Sequence, residues 1–174
     1  STTIHCCGRA GQWESALEVF ENMKIKHQLK PSTWTYNILL AAAKYSQEKN
    51  QVSDILEEMR KTKVETDIIT YINAVNSLSF NGHHDHALRL FDEYKDLIDD
   101  NEGNSSGRSR NMTLQLLNAG LRASVNDWHR CYDIWRSVDK AGLGYNQSAL
   151  LCLARACAAF SGTADAKENL TVLT

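Results

Sequence analysis

The chain has 174 residues, 43% of them hydrophobic and 23% charged, with a formal net charge of −2 and a pI near 6.3. That balance argues against a strong nonspecific polyanion binder, unless the basic residues are gathered on one concave face of a curved stack. No apolar run approaches the ~20 residues that a membrane span needs, and no charged, apolar, small-residue signal opens the chain.

The first unit is expected over residues 1–32. It starts abruptly, with Ser1 already inside a helix, so the sequence reads as a segment of a longer protein. Its first helix runs through Cys6-Cys7 to Ala10, Gly11 breaks it, and a second helix follows over about Trp13 to Lys26. Ala16, Leu17, Phe20 and Met23 recur there at helical spacing and mark a buried face. The single proline, Pro31, falls between units, where it stops one helix and helps start the next.

The second unit, 33–67, is the most regular. Ser32 or Thr33 is positioned to cap its first helix. Tyr36, Leu39, Leu40 and Ala43 form the inward face of that helix, and Val52, Ile55, Leu56 and Met59 do the same for the next. The third unit, 68–102, repeats the plan with Tyr71, Val75 and Leu78, then Ala87, Leu88, Phe91 and Tyr94. Residues 99–110 read as a polar loop without an apolar anchor. A fourth unit, 112–146, carries Leu114, Leu117 and Leu121, then Cys131, Ile134, Trp135 and Val138. A fifth, 147–174, gives a first helix to Phe160, a turn at Ser161-Gly162 and the start of a second helix. The whole of 1–174 is expected to be one repeat array.

One register joins these units. Thr35-Tyr36 returns as Thr70-Tyr71, 35 residues later, and Phe20, Leu56, Phe91 and Trp135 stand 36, 35 and 44 residues apart. Met23, Met59, Tyr94 and Val138 keep the same intervals, as do the breaker positions Gly11, Gln47, Gly82 and Asn126. The polar loop accounts for the longer interval. A period in this range signals stacked two-helix units.

Gly11, Ala16-Leu17, Phe20, Met23, Lys30-Pro31 and Thr35-Tyr36-Asn37 match the pentatricopeptide repeat almost letter for letter, and the unit resembles that family. The resemblance spans nearly the whole chain in about five copies, strongest in the first three. It implies an all-α, right-handed α-solenoid of helix-turn-helix repeats.

The resemblance also implies a site. The fifth and last residues of a repeat face one base together, and the second residue stacks on it. In the second unit these are Asn37, Asp67 and Trp34, with Ile69 of the next unit closing the sandwich. For Asn with Asp the family's pattern is uracil, consistent with an amide and a carboxylate presenting donors and acceptors to a pyrimidine edge. A second reading stays open: Asn37 bridges helices, and Asp67 only caps the helix beginning at Ile68. Phosphate contacts would come from Arg9, Lys44 and Arg122 near first-helix ends, with Lys44 best placed and Arg122 read as an ordinary surface residue. The other units depart from the pattern. Ser1 pairs with Ser32, Ile72 with Glu102, and Gln115 or Leu116 with Asn146, and the apolar Ile72 cannot read a base edge.

Other groupings carry less. His83-His84-Asp85-His86 clusters imidazoles in a turn and first helical turn without a matching ligand elsewhere, and a polar helix start explains it. Cys6 and Cys7 fall at small-residue positions, where burial would account for them. Five cysteines without CxxC pairing fit a reducing compartment. No glycine-rich phosphate loop, carboxylate pair or Ser/His/Asp order stands out. The expectation is a noncatalytic, cofactor-free RNA-binding repeat protein of mitochondria, or alternatively chloroplasts, acting in RNA processing or translation on single-stranded RNA or rRNA. The alternative is a structural adaptor that holds protein or folded rRNA within a mitochondrial ribosome or other ribonucleoprotein complex. A catalytic domain beyond Thr174 is a third arrangement.

Overall fold

The computed structural model describes residues 2–46, 50–99, 107–140, 142 and 147–160. Among these residues are nine α-helices and one 3-10 turn, with no strand. They fall into two compact units, Ser1–Asn101 and Glu102–Thr174.

The first unit contains three helix-turn-helix pairs: α1 (Thr2–Arg9) with α2 (Trp13–Ile25), α3 (Thr33–Ala42) with α4 (Gln51–Lys61), and α5 (Ile68–Phe80) with α6 (His84–Asp99). Gly11 and Gly82 make the tight turns inside the first and third pairs at φ of +72° and +80°, a conformation that favours a residue without Cβ. The connections between pairs use Gln28 and Lys63, 35 residues apart, which also take left-handed φ of 49° and 55°. Lys63 lies where Val64 N–H returns to the Met59 carbonyl at 2.9 Å, a closure that ends α4.

α3 packs between α1 and α5 and against α2 and α4. Its central place explains why it buries Thr35 through Leu40 together with Ala42, on all sides rather than along one stripe. Phe20 from α2 meets Tyr36 from α3 edge-on, with ring centroids 5.4 Å apart. Met59, Val75, Leu78 and Phe91 extend the same core. Leu17, Met23, Leu56 and Leu88 share the expected register but are only half-buried.

Two devices fix α3 against its neighbours. Gly8 lets α1 approach so closely that a Cβ there would stand 2.9 Å from the Ala42 Cβ. On the other side, α5 and its C-cap donate a row of side-chain bonds to carbonyls of α3 and the 3-10 turn after it: Asn73 Nδ2 to Asn37 at 3.0 Å, Ser77 Oγ to Leu40 at 2.6 Å and Asn81 Nδ2 to Ala43 at 3.2 Å.

The second unit packs α7 (Gly107–Ala123), α8 (Trp128–Lys140) and α9 (Gln147–Phe160) on one another around Leu116, Leu121, Cys131, Ile134, Val138 and Ala156. Asp127 Oδ1 accepts from Arg130 N–H at 3.1 Å at the start of α8.

Three expectations are corrected. Asp99 belongs to α6, and α7 begins at Gly107, inside the stretch read as a polar loop and ahead of the expected start at residue 112. Gly107 to Arg110 carry no apolar residue, so a helical turn there leaves no periodic trace. Residues 100–106 lie outside the described residues. Cys6 is exposed and Cys7 half-buried, so burial does not account for them; the buried positions of α1 are Ile4 and Gly8. Ser32 sits at the N-cap of α3 but makes no side-chain capping bond, its Oγ instead lying 3.2 Å from Thr35 Oγ1.

Candidate nucleic-acid interface

The N-terminal turns of α3 and α5 bring four of the expected residues together. Trp34 and Ile69, each the second residue of its helix, expose 55% and 39% of their surface, far more than core positions of the same helices. Between these helices Asn37 Nδ2 donates to Asp67 Oδ1 at 3.0 Å. The carboxylate can only accept, so the amide nitrogen must be the atom that faces it. Asn37 Oδ1 is then turned into the protein, where it is buried without a partner.

Asp67 is held from its own side as well. It is the N-cap of α5 in extended conformation, and Thr70 completes a capping box. Thr70 N–H and Oγ1 each donate to Asp67 Oδ1 at 2.8 Å, and Asp67 N–H donates to Thr70 Oγ1 at 3.1 Å. One carboxylate oxygen thus takes three bonds, and Oδ2 takes none of them. Asp67 is exposed while Asn37 keeps only 5% of its surface accessible, so the carboxylate is the open edge of the pair. Tyr94 stacks on Tyr71 at 4.4 Å. Its hydroxyl pKa is pushed up by burial and, next, by the negative charge of Asp67, so it stays protonated beside the site.

The cations stand elsewhere. Lys44 lies in the 3-10 turn Ala43–Tyr45 that follows α3, two helical turns or about 10 Å beyond Asn37. Its Nζ sits 4.8 Å over the Tyr45 ring. Arg9 is exposed in the last turn of α1. Neither pairs with a carboxylate among the described residues. Arg122 lies in the last turn of α7, in the other unit. Asn146 lies outside the described residues, as do Ser1 and Glu102.

The other units offer less at the position matching Asn37. Ile72 is buried at 6% exposure, and of the two residues expected in the fourth repeat Leu116 is buried at 2% while Gln115 is exposed. Sequence reasoning missed Thr70 as the residue that locks Asp67, although the Asp-x-x-Thr spacing at a helix start carries that signal. It also missed Tyr45 and Phe80, both exposed. Among the described residues, no three His, Cys, Asp or Glu side chains gather to hold a metal, and no helix is long and apolar enough to cross a membrane.

Family models match in three overlapping stretches: a PPR repeat family over residues 1–44, a pentatricopeptide repeat domain over 27–81 and a PPR repeat over 69–97. A pentatricopeptide repeat-containing protein of Arabidopsis thaliana is 33% identical over 97 residues, 55% of this chain and 15% of the relative. A second one from that plant, named as chloroplastic, is 27% identical over 74 residues, 42% of this chain and again 15% of the relative. Among solved structures, the pentatricopeptide repeat protein PPR10 from maize superposes with a TM-score of 0.65 at 19% identity, covering 98% of this chain and 28% of its own. PPR10 in complex with an 18-nt psaJ RNA element gives 0.64 at 20% identity, covering 98% of this chain and 26% of that one. The chain therefore spans about a sixth of the curated relatives and about a quarter of the solved ones. At this identity the likeness shows the fold, an all-α solenoid of helix-turn-helix repeats. With repeat models covering residues 1–97 and the same repeat fold along the chain, the protein belongs to the pentatricopeptide repeat family.

Proposed function

We propose that this chain is a noncatalytic RNA-binding array that holds single-stranded RNA of a mitochondrion or plastid across its first helices. The observation that carries the reading is the Asn37–Asp67 bond at 3.0 Å, with exposed Trp34 one helical turn before Asn37 and exposed Ile69 two residues after Asp67. A base entering there stacks on the indole and meets a carboxylate edge, and stacking of this kind is worth about 1–3 kcal/mol per base. The open acceptor selects a base with an N–H at the middle of its pairing edge. Uracil N3–H and guanine N1–H both meet this, whereas cytosine presents a bare acceptor that the carboxylate repels, and of the two the family's pattern for Asn with Asp is uracil. Lys44 and Arg9 supply the phosphate contacts. The chloroplastic name of one relative and the RNA-bound PPR10 support an organellar RNA role.

One observation favours the adaptor reading instead. Asn37 and Asp67 already bond to each other and brace α3 against α5, a structural role that needs no ligand. Selection of bound RNA from a random pool separates the two, run beside an Asn37→Ala, Asp67→Ala double variant at matched salt. Base reading predicts an enriched motif with a uracil that the variant loses. Enrichment by neither protein overturns it and favours the adaptor.

A further inference from the structure

Tyr45, in the 3-10 turn that follows α3, and Phe80, the last residue of α5, occupy matching places in the second and third repeats. Each lies eleven residues beyond an exposed residue of the proposed base site, Tyr45 beyond Trp34 and Phe80 beyond Ile69. Within α5 eleven residues is close to three full helical turns, so Ile69 and Phe80 share one face about 16 Å apart, while Tyr45 stands in the 3-10 turn beyond the end of α3. Tyr45 is 38% and Phe80 69% exposed, and their rings meet edge to face with centroids 6.3 Å apart.

The pair is held in place. The Tyr45 ring rests against Gly11, where a Cβ would come within 3.6 Å of it. Asn81 Nδ2 donates to the Ala43 carbonyl at 3.2 Å, tying the end of α5 to the end of α3 next to both rings. Lys44 Nζ lies 4.8 Å over the Tyr45 ring. Single exposed apolar residues need no explanation. A braced aromatic pair with an unshared cation at its side is a different object, because a flat apolar face beside a positive charge matches a base and its phosphate.

We propose that Phe80, backed by Tyr45, stacks one nucleobase of bound single-stranded RNA while Lys44 takes a flanking phosphate. This is a second contact, indifferent to base identity, apart from the Asn37–Asp67 edge. The edge-to-face geometry leaves no slot between the rings, so the base lies on the open face of Phe80. The cation decides for RNA over an apolar peptide, since burying an unpaired lysine under a protein partner would be costly. The inference rests on the RNA-binding reading above.

The test uses the full chain and fluorescein-labelled oligouridylate and oligoadenylate at matched salt. Phe80→Ala should weaken both RNAs about tenfold, the loss of one stacked base, and Phe80→Trp should restore both. The Asn37→Ala, Asp67→Ala double variant should weaken oligouridylate selectively. At 69% exposure Phe80 contributes little to folding, and circular dichroism melts check this for each variant. Wild type binding RNA with Phe80→Ala unchanged overturns the stacking proposal alone and hands the surface to a protein contact. Wild type binding neither RNA overturns the RNA reading and this inference with it.

Discussion

At the scale of single residues, the site turns on which atom of the Asn37–Asp67 pair a ligand meets first. Asn37 is buried, its amide nitrogen committed to Asp67, whereas the carboxylate is open and accepts all three local bonds through Oδ1 alone. Asp67→Asn isolates the edge chemistry from the fold. Asparagine caps helices as well as aspartate does, so α5 should keep its start and stability should change by less than about 1 kcal/mol. The edge itself gains an N–H donor, which pairs with the bare N3 of cytosine. Selection from a random pool should therefore move from uracil toward cytosine while the thermal midpoint holds. An unchanged uracil preference in a folded Asp67→Asn variant shows that Asp67 does not touch the base.

At the scale of elements, α3 is fixed by one apolar approach and one polar row. Gly8 and Ala42 bring α1 onto α3, and the bonds from Asn73, Ser77 and Asn81 align α5 with α3. Gly8→Ala sets two effects against each other. Alanine in a helix interior gains about 1 kcal/mol over glycine, and less at Gly8, the next-to-last residue of α1. Here its Cβ would stand 2.9 Å from another Cβ anchored on helix backbone, which cannot swing aside, and overpacking costs about 1–3 kcal/mol. The clash wins. Gly8→Ala should lower the thermal midpoint by about 2–4 °C, and Gly8→Val by more; a midpoint raised by Gly8→Ala would show that α1 is free to retreat. The helices around this contact were legible because Phe20, Tyr36, Met59 and Phe91 repeat with the period, and all four are buried. The contact itself was not, since it depends on two small residues 34 positions apart meeting in space. The left-handed turns at Gln28 and Lys63 were equally silent, neither being glycine or asparagine. The family pattern paired Asn37 with Asp67, but the burial of one and exposure of the other follow only once α3 and α5 pack.

At the scale of the whole molecule, charge decides how RNA would be held. On the second helices two lysines serve the protein. Lys24 Nζ bridges Glu21 at 2.9 Å and Glu58 at 2.7 Å, joining α2 to α4. Burial opposes its charge, yet the bonds to Glu58 and Glu21 prevail and raise its pKa, keeping it protonated. Lys61 pairs with Glu57 at 2.7 Å, a fully exposed contact of little worth. On the first helices Arg9 and Lys44 pair with no carboxylate among the described residues, so they alone of these four are open to phosphate. With a net charge of −2, binding must then lean on stacking and base edges more than on counterion release. Each phosphate neutralised on a single strand contributes a slope of about −0.7 to log K against log salt, so two contacts give about −1.4. Affinity for oligouridylate measured across a salt series should follow that shallow line, and Lys44→Ala should flatten it to about −0.7 while leaving the preference for uracil intact. A slope steeper than about −3 in the wild type would mean that several further cations engage the RNA, which would place the binding path away from the faces of α1, α3 and α5 described above.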